Sequence, residues 1–350
     1  MVDAVISMLS ITLAYIMPVS TITKNTKEER ILIQIKFWSF FWSLILFGSL
    51  LRGQQKPYVI ETYTIASTYQ KLKVEYPFVK PIKPLRSTKI RTKKNVVYKR
   101  NGTKKLRADM YFPKSGKGKV LPAVLLIHGG GWITGSKENL GVMAEHLVLN
   151  GYVAITLSYT LSTEAPYPAS VMDLKTAIGW MRANAEKYHL DPNKIAILGT
   201  SAGAQLATLV GLTPNSSVYG KNPLFSDRVQ AIINIDGIVS FIHPEAYEEG
   251  KSAGIWLGGS KTENWKNWQE ASPLGYVNEK SPPILFVNSA KPRFHAGRDD
   301  MVSIYNEYGI YNEVHTISDS PHSFWLLHPW FGTTLRYTLE FLEKVLDSGN

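Results

Sequence analysis

Residues 120–132 read VLPAVLLIHGGGW, and residues 194–203 read KIAILGTSAG. Each is an aliphatic run that ends abruptly at glycine. Runs of this kind fit strands buried on both faces of a sheet. The first delivers His128-Gly129-Gly130-Gly131, and the second delivers Gly199-Thr200-Ser201-Ala202-Gly203. Three glycines in a row leave main-chain N–H groups open to close approach by a ligand. A Gly-x-Ser-x-Gly turn between strand and helix lifts its serine clear of the sheet. Either motif alone is weak, because glycine and serine are common. In this order they supply an oxyanion hole and then a nucleophile, the equipment for attack on an acyl carbon. The glycine loop lacks the Gly-Lys-Ser/Thr ending that would make it a phosphate cradle.

Working outward, the pattern is regular. Val96–Tyr98 and Leu106–Tyr111 read as opening strands around the turn Asn101-Gly102. Further strands are expected at 120–127, 153–159, 195–198, 229–235, 284–287 and 313–317. Helical spacing appears at 140–150, 169–189, 202–211 and 334–346. Strands alternating with helices predict an α/β fold with a mostly parallel, doubly wound sheet flanked by helices. Ligands then bind at the carboxyl ends of the strands. His128, Ser201, Asp236 and His322 all follow predicted strands, an agreement independent of either motif.

Ser201 is therefore the expected nucleophile. The N–H groups of Gly129, Gly130, Gly131 and Ala202 are the expected oxyanion donors. His322, in Ser320-Pro321-His322-Ser323-Phe324, lies between the last strand and the last helix, where the chain order serine, acid, histidine puts its general base. His146, His189 and His315 fall within predicted helices or strands and read as structural. His243, His295 and His328 sit in loops, within reach of a substrate.

Residues 95–346 resemble the hormone-sensitive-lipase-like, carbohydrate-esterase-like branch of the α/β-hydrolase superfamily. The matching stretches are HGGGW (128–132), SYTLSTEAPYPASVMDLKTAIGWMRANA (158–185), LDPNKIAILGTSAG (190–203), SPPILFVNS (281–289) and PHSF (321–324). The resemblance implies hydrolysis of carboxylic esters, often acetyl groups on sugars, through an acyl-enzyme. It also implies scaffold roles for Asp173 and Asp191. In one place the chain departs from the pattern. The resemblance implies an acid shortly after the strand at 284–289, as Gly-x-x-Asp, and no carboxylate stands there. His295-Ala296-Gly297-Arg298-Asp299-Asp300 imitates the motif further on. Asp236, at the end of the preceding strand, is the preferred acid, because a carboxylate straight after an apolar strand is costly unless paired. Asp299 is the alternative, followed by Asp300, with Asp319 also near the base. Trp132, Arg293, His295 and Arg298 are expected to touch substrate, the arginines by gripping a carboxylate or sugar. Trp256, Trp265, Trp268, Trp325 and Trp330 read mainly as core packing or a lid.

Composition sets the remaining bounds. The 350 residues carry a net charge of +11, are 44% hydrophobic, and include no cysteine. Disulfides, thiolate catalysis and cysteine-ligated metals are excluded. No metal or other cofactor is expected. The basic residues are densest at 80–105 and 114–119, without a nucleic-acid-binding motif, so no nucleic-acid partner is expected. Residues 37–51 read FWSFFWSLILFGSLL after Lys36. That is short for a span of about 20 residues and suits a secretory signal peptide over 36–53. On that reading residues 1–35 precede the true start and are not made. Residues 54–94 form an extended arm, and residues 95–350 form the catalytic domain. The protein is then secreted or periplasmic, and touches a membrane only through the N-terminal segment if that segment is uncleaved. The function expected is a secreted serine esterase acting on O-acetyl or methyl esters of plant polysaccharide such as pectin or xylan. The alternatives are a lipid or small-ester carboxylesterase and a catalytically silent binding protein of the same fold.

Overall fold

The computed structural model describes residues 60–350, except 116, 117, 221–224, 249 and 348–350, together with Trp38. The chain divides into two units, Met1–Val59 and Ile60–Asn350. The expected signal peptide and the residues ahead of it thus lie outside the described residues, apart from Trp38. Among the described helices, none is long and apolar enough to cross a membrane.

In the second unit, α1 (Ile65–Leu72) is followed by the short β1 (Lys80–Pro81) and the hairpin of β2 (Ile90–Asn101) and β3 (Lys104–Pro113). Then come β4 (Leu121–Ile127), α2 (Gly141–Leu149), β5 (Val153–Leu157), α3 (Ala169–Ala183) and α4 (Ala185–Tyr188). Next are β6 (Leu190–Thr200), α5 (Ala202–Leu212), β7 (Ala231–Ile235), α6 (Lys251–Leu257) and α7 (Trp265–Glu270). The chain closes with β8 (Ile284–Asn288), α8 (Arg298–Glu307), β9 (Asn312–Thr316), β10 (Leu327–His328) and α9 (Trp330–Leu342). Eight strands form one sheet in the order β2-β3-β5-β4-β6-β7-β8-β9. The pairs β2–β3 and β3–β5 are antiparallel, and every later pair is parallel.

The sequence of β4 shows why the sheet sits where it does. Ala123, Leu125 and Ile127 face one hydrophobic core, and Val124 and Leu126 face the other. A strand apolar at every position must be covered on both sides. Helices α3, α5 and α8 cover the first face, and α2 and α9 cover the second. The doubly wound α/β architecture follows from this alternation.

Three boundaries differ from expectation. The segment 54–94 is not an extended arm throughout. Thr64 and Ser67 cap α1 reciprocally, with Ser67 N donating to Thr64 Oγ1 at 3.0 Å and Thr64 N to Ser67 Oγ at 2.9 Å. Ile65, Tyr69 and Leu72 then fall on one face and pack on the second core. The boundary at 94/95 falls inside β2, which begins at Ile90. The predicted helix 169–189 breaks at Asn184 and ends where His189 turns left-handed at φ 54°.

Candidate active site

Ser201 sits between β6 and α5 with φ 54° and ψ −124°. This backbone is costly for a residue with a side chain, and the surroundings enforce it. Ser201 N donates to Ile235 O at 2.9 Å, tying the turn to β7. A Cβ on Gly203 would stand 2.3 Å from Ile127 O, and one on Gly129 would stand 2.8 Å from Thr200 O. The glycine loop after β4 and the serine turn after β6 therefore lie backbone against backbone, which only glycine at these positions permits.

His322 bridges two partners. Its Nε2 is 2.8 Å from Ser201 Oγ, and its Nδ1 is 2.7 Å from Asp236 Oδ2. Asp236 is wholly buried and follows directly on β7, with φ 55°. Its other oxygen, Oδ1, accepts the Ser289 N–H at 2.8 Å. A buried carboxylate with acceptor-only oxygens requires its neighbour to donate, so Nδ1 carries the proton and Nε2 is left to accept from the serine. Three residues separated widely in sequence thus form one hydrogen-bonded line from hydroxyl to imidazole to carboxylate.

Ser201 opens into a cavity of about 280 Å³ whose wall includes Gly131, Trp132, Ala202, Gln205, Arg293 and Phe294. The amides of Gly130, Gly131 and Ala202 have no main-chain acceptor among the described residues. Trp132 lies flat on Trp256, with centroids 5.0 Å apart and planes 5° apart. Its Nε1 donates to Gln205 Oε1 at 3.0 Å, and Gln205 Nε2 donates to Ala271 O at 2.8 Å. This network fixes one wall. A second, wider chamber of about 660 Å³ shares Gly250 and Lys251 with the first, and its lining includes Ile255, Lys261 and Trp268.

The glycine loop is held by His128. This ring is buried, stacks on Tyr159 at 4.4 Å, and its Nδ1 donates to Gly129 O at 2.8 Å. Burial pushes its pKa down to about 4, so it is neutral at physiological pH.

The remaining candidates are placed differently from expectation. Asp299 stands in the first turn of α8 with its side chain 77% exposed, accepting from Arg298 Nε at 2.7 Å. It pairs with that arginine rather than with the imidazole, because the helix starts at Arg298 and carries the carboxylate outward; the alternative acid is thereby corrected. Asp300 faces His243 at 3.2 Å, and Asp319 is exposed. Arg298 does not line the cavity. Its Nη1 donates to Asn288 Oδ1 at 2.9 Å and lies 3.4 Å from His295 Nδ1. His295 is also outside the cavity wall. Its Nε2 donates to Ser289 O at 3.0 Å and lies 3.8 Å from Asp236 Oδ1. Burial, and then the Arg298 charge, hold its pKa below the usual histidine value. The pair expected to touch substrate instead braces the loop behind Asp236. Of the four expected contacts, Trp132 and Arg293 line the cavity. Among the described residues no cluster of histidine and carboxylate could hold a metal ion.

Gln205 and Phe294 were missed by the reading of the sequence. Gln205 had a signal, as the one amide in the otherwise small and apolar stretch AGAQLATLVGL. Phe294 had none beyond its place between Arg293 and His295. Trp256, Trp268 and Trp325 are fully buried, as expected of core packing.

A family model described as BD-FAE matches residues 108–305, more than half of the chain. The chain belongs to the BD-FAE family. The BD-FAE match includes Ser201 and Asp236 and stops before His322. LipM and LipC of Mycobacterium tuberculosis (strain ATCC 25618 / H37Rv) are 28% and 27% identical to this BD-FAE chain over 210 and 219 residues. The matches cover 57% and 61% of this chain, and 46% and 53% of those proteins. LipC is named an esterase. The chain spans about half the length of the curated relatives it matches. A solved structure described as a truncated form of carbohydrate esterase from gut microbiota superposes with a TM-score of 0.65 at 22% identity. It covers 77% of this chain and 100% of that one. The shared architecture is the α/β-hydrolase fold.

Proposed function

We propose that this protein is a secreted serine esterase that hydrolyses carboxylic esters, with O-acetyl or methyl groups on plant polysaccharide as its substrate class. The observation that carries the reading is the line Ser201–His322–Asp236, closed at 2.8 and 2.7 Å. Ser201 Oγ attacks the ester carbonyl while His322 Nε2 takes its proton. The developing oxyanion turns to the amides of Gly131 and Ala202, with Gly129 and Gly130 completing the loop; one such donor is typically worth about 3 kcal/mol in the transition state. His322 returns the proton to the leaving alcohol, and water then releases the acyl group by the same route. No cofactor enters this scheme.

The carbohydrate reading is supported by the wider chamber that shares Gly250 and Lys251 with the cavity at Ser201, which offers room for a bulky alcohol. The esterase name of LipC supports ester hydrolysis, and the description of the gut carbohydrate esterase supports a carbohydrate substrate. Secretion rests on the cationic lead and apolar centre of residues 36–53.

Acetate and methanol release from a panel of esterified polysaccharides tests the proposal. The wild type should release one or both, and Ser201→Ala should release neither while keeping its folded stability. Faster turnover of octanoyl than of acetyl esters would move the assignment to a lipid esterase. Turnover of no ester by the wild type would overturn it.

A further inference from the structure

We propose that Phe294 is a positioning residue for His322, its ring stacked on the imidazole so that the base stays in the plane of its two hydrogen bonds. This rests on the reading of Ser201, His322 and Asp236 as a catalytic line. The two rings lie 3.5 Å apart, centroid to centroid, and 9° from parallel. Trp325 meets the same imidazole at 5.1 Å and 86°. His322 is thus held between a flat face and a perpendicular ring.

The need for such a clamp follows from the reaction. The outer torsion of a histidine is broad and weakly restrained. At rest, hydrogen bonds at both nitrogens hold the ring. During turnover Nε2 leaves Ser201 Oγ, turns to the departing alcohol and later serves water. Between those partners only the bond from Nδ1 to Asp236 remains, and one hydrogen bond does not stop a ring from tilting about it. A stacked face opposes tilt in every state. The aromatic face also favours the imidazolium that forms when the proton is taken.

Phe294 is itself held firmly. The loop that carries it runs from Ser289 to Gly297, between β8 and α8. Val239 N donates to Ala296 O at 3.0 Å, and Gly297 N donates to Glu245 Oε2 at 3.1 Å. His295 is bonded to Ser289 O on one side and approached by Arg298 on the other. Phe294 also lines the cavity. It therefore separates the bound ester from one face of the base.

The test compares Phe294→Leu, which keeps an apolar side chain of similar bulk but loses the flat face, with Phe294→Tyr, which keeps the face. Two rates are measured on the full chain. One is kcat, with KM, for p-nitrophenyl acetate; the other is labelling of Ser201 by an organophosphate, which needs the base but no ester. For Leu, both rates should fall about tenfold, with KM changed by less than about twofold, and Tyr should restore both. Leu with both rates as in the wild type overturns the positioning role. Leu and Tyr losing activity alike, through a raised KM, also overturns it in favour of a substrate wall. A wild type that is neither labelled nor active overturns the catalytic reading itself. A wild type that is labelled, with Leu labelled equally fast, overturns this inference alone.

Discussion

Asp236 is the residue on which the proposed chemistry turns and that the sequence leaves most open. Its two oxygens are divided between Ser289 N and His322 Nδ1. An amide in its place offers one acceptor and one donor and cannot satisfy both partners. Asp236→Asn should therefore lower kcat by up to about 10⁴, with little change in KM. Asp299→Asn should stay close to wild type, since its partner is Arg298. Steady-state kinetics on one chromogenic ester decides between them; a dead Asp299 variant beside an active Asp236 variant would reverse the assignment. Ser201 and His322 were legible because motif and strand order both point at them. Asp236 was legible only as the stronger of several carboxylates, since sequence does not tell which strand end faces the histidine. Phe294 was not legible at all. A ring stack across elements depends on how two loops pack, and no local spacing records that.

At the level of elements, the sheet was readable because a doubly buried strand has no polar positions to confuse it. Where one side faces water, the reading weakened. The edge strand β2 alternates irregularly, with shifts in register between Lys93 and Val96 and between Val97 and Lys99. Its start at Ile90 was hidden among lysines. Those same charges have a place in the fold: Arg91, Lys93 and Arg100 are exposed along the outermost strand, where cations hinder pairing with another chain. Helix α1 was hidden for another reason. It is only 8 residues long, too short to show a period, and it exists because of its cap and its docking. Thr64→Ala removes the side-chain half of that cap and should cost about 1 kcal/mol. Urea unfolding checks this. Residues around α1 also reach the histidine loop: the buried Tyr63 hydroxyl lies beside Ser323 and Trp325, and Ile82 N donates to Leu326 O at 3.2 Å. The variant should accordingly lose some kcat before it loses global structure, in activity measured against urea concentration. Coincident loss of the two would show that α1 has no separate hold on the site.

For the molecule as a whole, His128 ties stability to pH. Its folded-state value of about 4 lies below the 6.5 of a free histidine, so the unfolded chain binds the proton first as pH falls. The stability it permits is complete above about pH 6.5 and is lost between there and pH 4, at most about 3 kcal/mol. Unfolding free energy measured from pH 7 to pH 4 should fall more steeply for the wild type than for His128→Gln. Parallel slopes would mean that the buried imidazole is not the group that titrates.

The small sheet of β1 and β10 has a consequence for the order in which the protein comes into being. It pairs Lys80 with His328 and Pro81 with Leu327, joining segments roughly 250 residues apart in the chain. Contacts that distant are slow to form, because the loop they close costs entropy before any contact rewards it. The strands that carry Ser201 and Asp236 pair within a much shorter span. During synthesis Ser201 and Asp236 can therefore be in place while the stretch that bears His322 is still emerging. On the proposed catalytic line, Ser201 and Asp236 stay without their imidazole until the segment that bears His322 has been made and has folded back against them.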